Sequence, residues 1–343
     1  SIAPDRKCLI PSSQLCAPTA WPRVITKRRG VVKHCTRQRA MGLLIFANVL
    51  WAGSYSAAKE AMHTFSPVEL NFLRFGIAGL VLLPVLWLAR ERMPIRRRDL
   101  PQLGMLCLIG FVLNKGIEFA GLNLTTASDT ALLIAAESIF TSIMAWIVLR
   151  EAVRGAAIGG LVLGAFGVYI VIEGGFSLPH MGGGTRLLGD LLVLVALACE
   201  AAYSIFGKAA LARYPGLLIA ASGIIGSVAF WLPAAAVNVA IAGMPHASTA
   251  AWAGVLYMAI PNTVVAYVIW MVALGHVDGA SAAPTLFMQP LVGTALAIVL
   301  LGERPGWATL AGGLLILGGV ALASRRASGS AISAAVAAEP LSG

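Results

Sequence analysis

Ten runs of mostly apolar residues follow one another along the chain with short polar connections between them. They cover residues 41–59, 68–90, 101–123, 127–149, 154–173, 187–209, 215–236, 250–273, 279–301 and 306–323. Each is close to the roughly 20 residues a helix needs to cross about 30 Å of hydrocarbon. Only a helix satisfies its own backbone there in a segment of that length. The pattern predicts an all-α polytopic membrane protein with ten transmembrane helices.

The pattern also repeats. "ESIFTSIMAWIVLRE" (137–151) overlays "QPLVGTALAIVLLGE" (289–303), and "WAGSYSAAK" (51–59) overlays "EAAYSIFGK" (200–208). Each half holds five runs. An odd number of crossings per repeat makes the second half run opposite to the first, an inverted-topology repeat. In such proteins solute sites sit near the midplane between halves, and alternating access is the rocking of one half on the other. The expected organisation is a tail over 1–40, a first repeat over 41–175, a second over 187–326 and a flexible tail over 327–343.

Composition agrees with this reading: 58% of residues are hydrophobic, 12% are charged and mean hydropathy is +0.84, against about 25% charged residues in soluble domains. The net charge of +10 reports orientation. With the N-terminus inside, 20 of the 25 Lys and Arg residues fall on the cytoplasmic side, 3 fall outside, and Arg74 and Lys115 lie within runs. Such a bias predicts both termini in the cytoplasm and leaves no need for a nucleic-acid partner.

Residues 1–40 are basic, rich in Pro and Ser, and lack the apolar core of a secretory signal. A transit-like tail, a cytoplasmic tail and translated upstream sequence ahead of a start at Met41 all remain open, and disorder is expected. The five Cys form no CxxC pair, the five His form no HExxH, and no phosphate-binding or GxSxG motif occurs. These patterns predict no metal, no cofactor and no enzyme.

Chemistry is concentrated in the ionisable residues inside the runs, which are costly in a bilayer and face a cavity or a partner. Glu137 and Glu200 lie near the middle of runs four and six, while their repeat counterparts are Gln289 and Trp51. A carboxylate in only one half at each position suits an asymmetric, amine-bearing solute, and a desolvated carboxylate can carry a coupling proton. Lys115 and Glu118 share a helix face at i, i+3; Tyr267 and Trp270 are their counterparts. Two roles stay open for Lys115: counter-ion to Glu118 or Glu137, or receptor of a substrate carboxylate. Arg74 is expected either to reach the interface or to pair with Glu69. Asn114 and Tyr203 add hydrogen-bonding groups at similar depth, as do Asn48, Tyr55 and Asn262. Pro261, Pro284 and Pro290 are hinge candidates, and Trp146, Trp231, Trp270 and Trp307 are candidates for the lipid interface.

At "LWAGSYSAAK", "SPVELNFLRFGIAGLVLLP", "WIVLRE" with its repeat "IVLLGERP", and "GGLLILGGVALASRR", the chain resembles the EamA-type transporters of the drug/metabolite transporter superfamily. The resemblance covers about 41–326. It implies a ten-helix basket in which helices three and four face eight and nine, one and two face six and seven, and five and ten form the back. It also implies a bacterial inner-membrane secondary transporter of small molecules, often an exporter of amino acids or related metabolites. The Lys115–Glu118 pair departs from the apolar or aromatic residues associated with that position in the family. Export of cationic compounds or nucleosides is the alternative within transport, and a non-transporting membrane scaffold the alternative outside it. Organic-phosphate carriage would call for more Lys or Arg than Lys115 and Arg74 provide. The partners expected are a small solute, the lipid bilayer and protons.

Overall fold

The computed structural model describes residues 37–337 except 93–94, 150–154, 174–183, 212, 244, 275–284 and 287. Pro284, the connection carrying Arg150 and Glu151, and the tail before residue 37 lie outside the described residues. The described residues contain helices and no strand.

Run one folds as α1 (Arg37–Ala52) and α2 (Ser54–Met62), separated at Gly53. A Cβ at Gly53 would lie 2.3 Å from Tyr257 Oη. Glycine therefore lets that hydroxyl reach the Leu50 carbonyl, to which it donates at 2.9 Å. Helix α3 (Pro67–Arg92) begins with a capping box: Ser66 Oγ accepts from the Glu69 N–H at 3.3 Å, and the Glu69 carboxylate accepts from the Ser66 N–H at 2.8 Å.

Run three comprises α4 (Leu100–Cys107), a π-helical stretch (Leu108–Leu113) and α5 (Asn114–Leu124). Run four is α6 (Ala127–Ile134) and α7 (Glu137–Leu149), broken by a tighter turn in which Ala135 and Ala136 donate to Leu132 and Leu133. Then come α8 (Gly155–Glu173), α9 (Thr185–Leu211) and α10 (Gly216–Ala242). Run eight is α11 (Thr249–Tyr257), a second π-helical stretch (Met258–Val265) and α12 (Ala266–Leu274). Helices α13 (Met288–Leu301) and α14 (Trp307–Ala337) close the chain. Helix continues past residue 326, where a flexible tail was expected, because "ASGSAISAAVA" holds no proline and is rich in alanine, the strongest helix former.

Seven of these helical runs are long and apolar enough to cross a membrane; Ile158–Ile172, Met288–Leu301 and Trp307–Leu322 are shorter apolar helices. π-helical turns interrupt runs three and eight alone among the described residues, and these two runs are repeat counterparts.

Packing pairs the runs in a consistent way. Run one lies on eight (α1 on α12, α2 on α11) and run three on six (α5 on α9). Run two packs on seven (α3 on α10), four on nine (α6 on α13) and five on ten (α8 on α14). Exchanging the two halves maps this set of pairs onto itself. The direct neighbours of runs one and three are thus eight and six, whereas the family resemblance implies one and two facing six and seven, and three and four facing eight and nine.

Helices α8 and α14 meet backbone to backbone. A Cβ on Gly167 would lie 2.6 Å from the Gly312 carbonyl oxygen and 2.7 Å from the Ile316 nitrogen; one on Gly319 would lie 2.5 Å from the Gly160 oxygen. Small residues allow this approach, and main chain cannot swing aside. Gly167→Leu is expected to cost at least the roughly 1–3 kcal/mol of core overpacking, read as a lower melting temperature and a loss of monodisperse protein on size exclusion. Gly159→Ala, whose Cβ meets only Leu322 Cδ2 at 3.9 Å, is expected to behave as wild type.

One end of the helix assembly is tied by charge. Lys59 Nζ donates to the Leu122 and Thr125 carbonyls at 2.7 and 2.5 Å, at the C-terminus of α5. The Glu303 carboxylate accepts from the Ala127 and Ser128 N–H groups, both at 2.8 Å, at the N-terminus of α6. Each charge meets the helix end of opposite polarity.

Candidate site: a charged cavity between the halves

Among the described residues, eight of the ten runs line a cavity of about 430 Å³, and none of the lining residues comes from runs five and ten. That volume lies within the range of about 300–1,000 Å³ usual for small-molecule sites. The cavity extends from Phe119 and Glu118 to the connection between α9 and α10, where Leu211 and Gly216 line it.

All nine residues singled out from the sequence as solute or coupling candidates stand on this wall. Asn114, Lys115 and Glu118 come from α5 and Glu137 from α7. Glu200 and Tyr203 come from α9, Tyr267 and Trp270 from α12, and Gln289 from α13.

Lys115 lies between two carboxylates on two helices. Its Nζ is 2.6 Å from Glu118 Oε2 and 3.5 Å from Glu200 Oε2. Asn114 fixes the second of these, its Nδ2 donating to Glu200 Oε2 at 2.8 Å and to the Ala196 carbonyl at 3.0 Å. The Glu118 side chain is 5% exposed, while those of Lys115 and Glu200 are 20% and 23% exposed, toward the cavity they line. Of the two roles left open for Lys115, the geometry favours the counter-ion, and the acids it serves are Glu118 and Glu200.

Glu137 differs from these. It opens α7 directly after the break at Ala135–Ala136, where the positive end of the helix dipole favours a negative charge. Its carboxylate receives no hydrogen bond or ion pair from any described side chain.

Aromatic rings form another part of the wall. Trp51 meets Tyr267 edge-on at 5.4 Å between centroids and Trp270 at 5.2 Å. Its Nε1 donates at 3.1 Å to the Asn262 carbonyl, in the π-helical stretch where Pro261 supplies no N–H. Thr263 Oγ1 donates to the Met258 carbonyl in the same stretch at 2.7 Å. Pro261 thus marks a widened turn, which is where π-helical turns often serve function.

Four expectations are corrected. Pro290 lies in the first turn of α13, where a missing N–H costs no helical hydrogen bond, so it is no mid-helix hinge; the breaks fall at Gly53 and Ala135–Ala136 instead. Arg74 neither reaches the interface nor pairs with Glu69. It is 6% exposed, and its Nε and Nη2 donate to Thr263 Oγ1 and Asn262 Oδ1, each at 2.9 Å. Trp231 is buried, donates to the Phe111 carbonyl at 3.2 Å and fills the space over Gly116, which leaves it no lipid to face. Trp270 faces the cavity, whereas Trp146 and Trp307 are exposed as an interfacial role requires.

Arg74 and Trp51 are among the wall residues that the sequence did not single out as solute candidates. The signal for Arg74 was present: an arginine deep in an apolar run with no acid three or four residues away needs a partner from another helix.

The EamA-like transporter family matches residues 38–173 and 187–325. A protein of Streptantibioticus cattleyicolor named a probable terminal-alkyne amino-acid exporter is 28% identical over 85% of this chain and 95% of its own length. A protein of Escherichia coli K12 named a probable amino-acid metabolite efflux pump is 27% identical over 81% of this chain and 92% of its own. A solved crystal structure shares the fold, with a TM-score of 0.57 and 21% identity over 84% of this chain and 97% of that one.

Proposed function

This chain belongs to the EamA-like transporter family, which makes it a membrane transporter, and on that premise we propose that it exports small amine-bearing metabolites, amino acids foremost, across the inner (plasma) membrane by alternating access. The two repeats then form ten transmembrane helices in inverted topology with both termini in the cytoplasm. The packing that maps onto itself when the halves are exchanged supports that arrangement, as does the occurrence of π-helical turns in runs three and eight.

With that orientation, the end tied by Lys59 and Glu303 is the outer one. The cavity reaches the opposite end at Leu211 and Gly216, which supports an inward-facing state ready to load solute from the cytoplasm. Loosening of the Lys59 and Glu303 contacts then accompanies opening to the outside.

The observation that carries the reading is Glu137, a carboxylate on the cavity wall with no partner of its own among the described residues. With Glu118 and Glu200 it makes three acids against Lys115 and Arg74, so the ionised cavity is short of one positive charge. The solute's ammonium group meets the Glu137 carboxylate; because an amino acid brings a carboxylate as well, the missing positive charge is supplied by a proton, which is the basis for proton coupling. Two relatives of nearly full length carry amino-acid export in their names, in keeping with this chemistry.

The test is uptake of labelled amino acids into proteoliposomes holding the purified chain, with and without an imposed pH gradient. Flux that the gradient accelerates supports coupled amino-acid transport. Flux indifferent to the gradient leaves transport standing and removes the coupling. If no amino acid moves while cationic compounds or nucleosides do, the solute class is wrong.

A further inference from the structure

Among the described residues two cations line the cavity, and they are not equivalent. Lys115 is taken up by Glu118 and Glu200, at 2.6 and 3.5 Å. Arg74 has only neutral acceptors, Thr263 Oγ1 and Asn262 Oδ1, and no carboxylate lies within ion-pair distance of it among the described residues. The faces of Phe75 and Phe119, 5.0 and 5.5 Å from its guanidinium carbon, lend cation–π attraction but carry no charge.

A buried guanidinium without a counter-ion is expensive. This one is nevertheless held in place, with Nε and one terminal nitrogen fixed to adjacent residues of the π-helical stretch and further N–H donors left over. A planar fork so positioned on a cavity wall matches a carboxylate, which it binds through two parallel hydrogen bonds. Lys115, a point charge already shared between two acids, is poorly placed to do the same.

We propose that Arg74 recognises the carboxylate of the transported solute, so that the cavity selects molecules bearing both an ammonium and a carboxylate group, α-amino acids in preference to the corresponding amines. This rests on the functional reading above, in which Glu137 serves the ammonium. The substrate class follows from two charges of opposite sign, Glu137 and Arg74, that line one cavity and have no ionic partner within contact distance among the described residues. The widened turn around Pro261 becomes the device that sets Asn262 and Thr263 side by side to hold the arginine.

The experiment compares each amino acid that wild-type proteoliposomes transport with its decarboxylated amine in the same vesicles. Wild type is expected to favour the amino acid by about tenfold to a hundredfold, the worth of one charge-assisted contact. Arg74→Gln is expected to abolish that preference. Because the readout is a ratio between two solutes, it does not depend on how much active protein each preparation holds. Asn262→Asp is the second variant: it keeps the acceptor of Arg74 Nη2, gives up the 3.3 Å donation to the Leu50 carbonyl, places a carboxylate beside the guanidinium, and is expected to erase the preference too, whether or not Arg74→Gln folds. Folded variants that keep the wild-type ratio overturn the assignment of Arg74 and leave the transport reading intact. Wild type that moves amino acids and amines equally well does the same. Wild type that moves no amino acid overturns the transport reading itself.

Discussion

Changing Glu137 and Glu200 together to glutamine is expected to reduce amino-acid transport by at least about a hundredfold while leaving the folded protein intact. Glutamine keeps the size of each side chain but removes the Glu137 charge that the ammonium group meets and the neighbouring Glu200 charge that adds to the cavity's negative potential. A hydrogen bond to a charged group contributes about 1.5–3 kcal/mol, so loss of the Glu137 contact, with the weaker field left by Glu200→Gln added to it, reaches the roughly 2.8 kcal/mol that corresponds to a hundredfold change. The single variants separate the two roles. Glu137 has no partner to lose, so Glu137→Gln is expected to affect transport alone. Glu200 also receives Asn114 and faces Lys115, so Glu200→Gln is expected to lower thermal stability as well. Initial rates in proteoliposomes alongside melting curves of the same preparations check both statements. Full activity in the double variant would remove these carboxylates from the mechanism.

Lys115→Met is expected to damage folding more than any other single change in the cavity. It leaves Glu118 buried with no cation at contact distance, and removing one partner of a buried ion pair costs about 3–5 kcal/mol. A melting temperature lower by about 5–10 °C and a reduced yield of monodisperse protein are the expected signs. Lys115→Met combined with Glu118→Gln removes both charges and is expected to recover most of the loss, because an uncharged pair of similar size needs no counter-ion. If the combined variant folds, the account predicts that it still transports, since the pair is structural. Lost transport in that folded variant would make Lys115 a substrate or coupling residue, the other role the sequence left open.

How much of this was legible before the fold was seen depended on how local each feature is. Helix positions were readable because hydrocarbon demands a long apolar run with a satisfied backbone, and the runs set at 187–209 and 250–273 correspond to helical segments over Thr185–Leu211 and Thr249–Leu274. The wall of the cavity was readable for the same reason: Lys115, Glu118, Glu137 and Glu200 cannot face lipid cheaply, so their polarity alone directs them to the interior. What local pattern cannot convey is which helix comes to meet a residue. Arg74 looks from sequence like a side chain within reach of Glu69 or the interface, but its partners are 188 and 189 residues away. Glu69 is already engaged in capping α3. The break at Gly53 depends on a tyrosine more than 200 residues distant, and Pro290 costs no helical hydrogen bond because it lies in the first turn of α13. Trp231 reads as an interfacial residue by type, but the hole it fills over Gly116 exists only once α10 packs against run three.

The central claim is that solute passes through the cavity between the repeats, and the most direct measurement of it is protection of a single thiol on the wall. Ser204 lines the cavity on α9, and the chain's five cysteines are first replaced by serine. Labelling of Ser204→Cys by a small water-soluble thiol reagent is then followed with and without a saturating transported amino acid. The account predicts that the solute slows labelling, at concentrations matching those that half-saturate transport. Labelling unaffected by solute, in a preparation that still transports it, would contradict the claim.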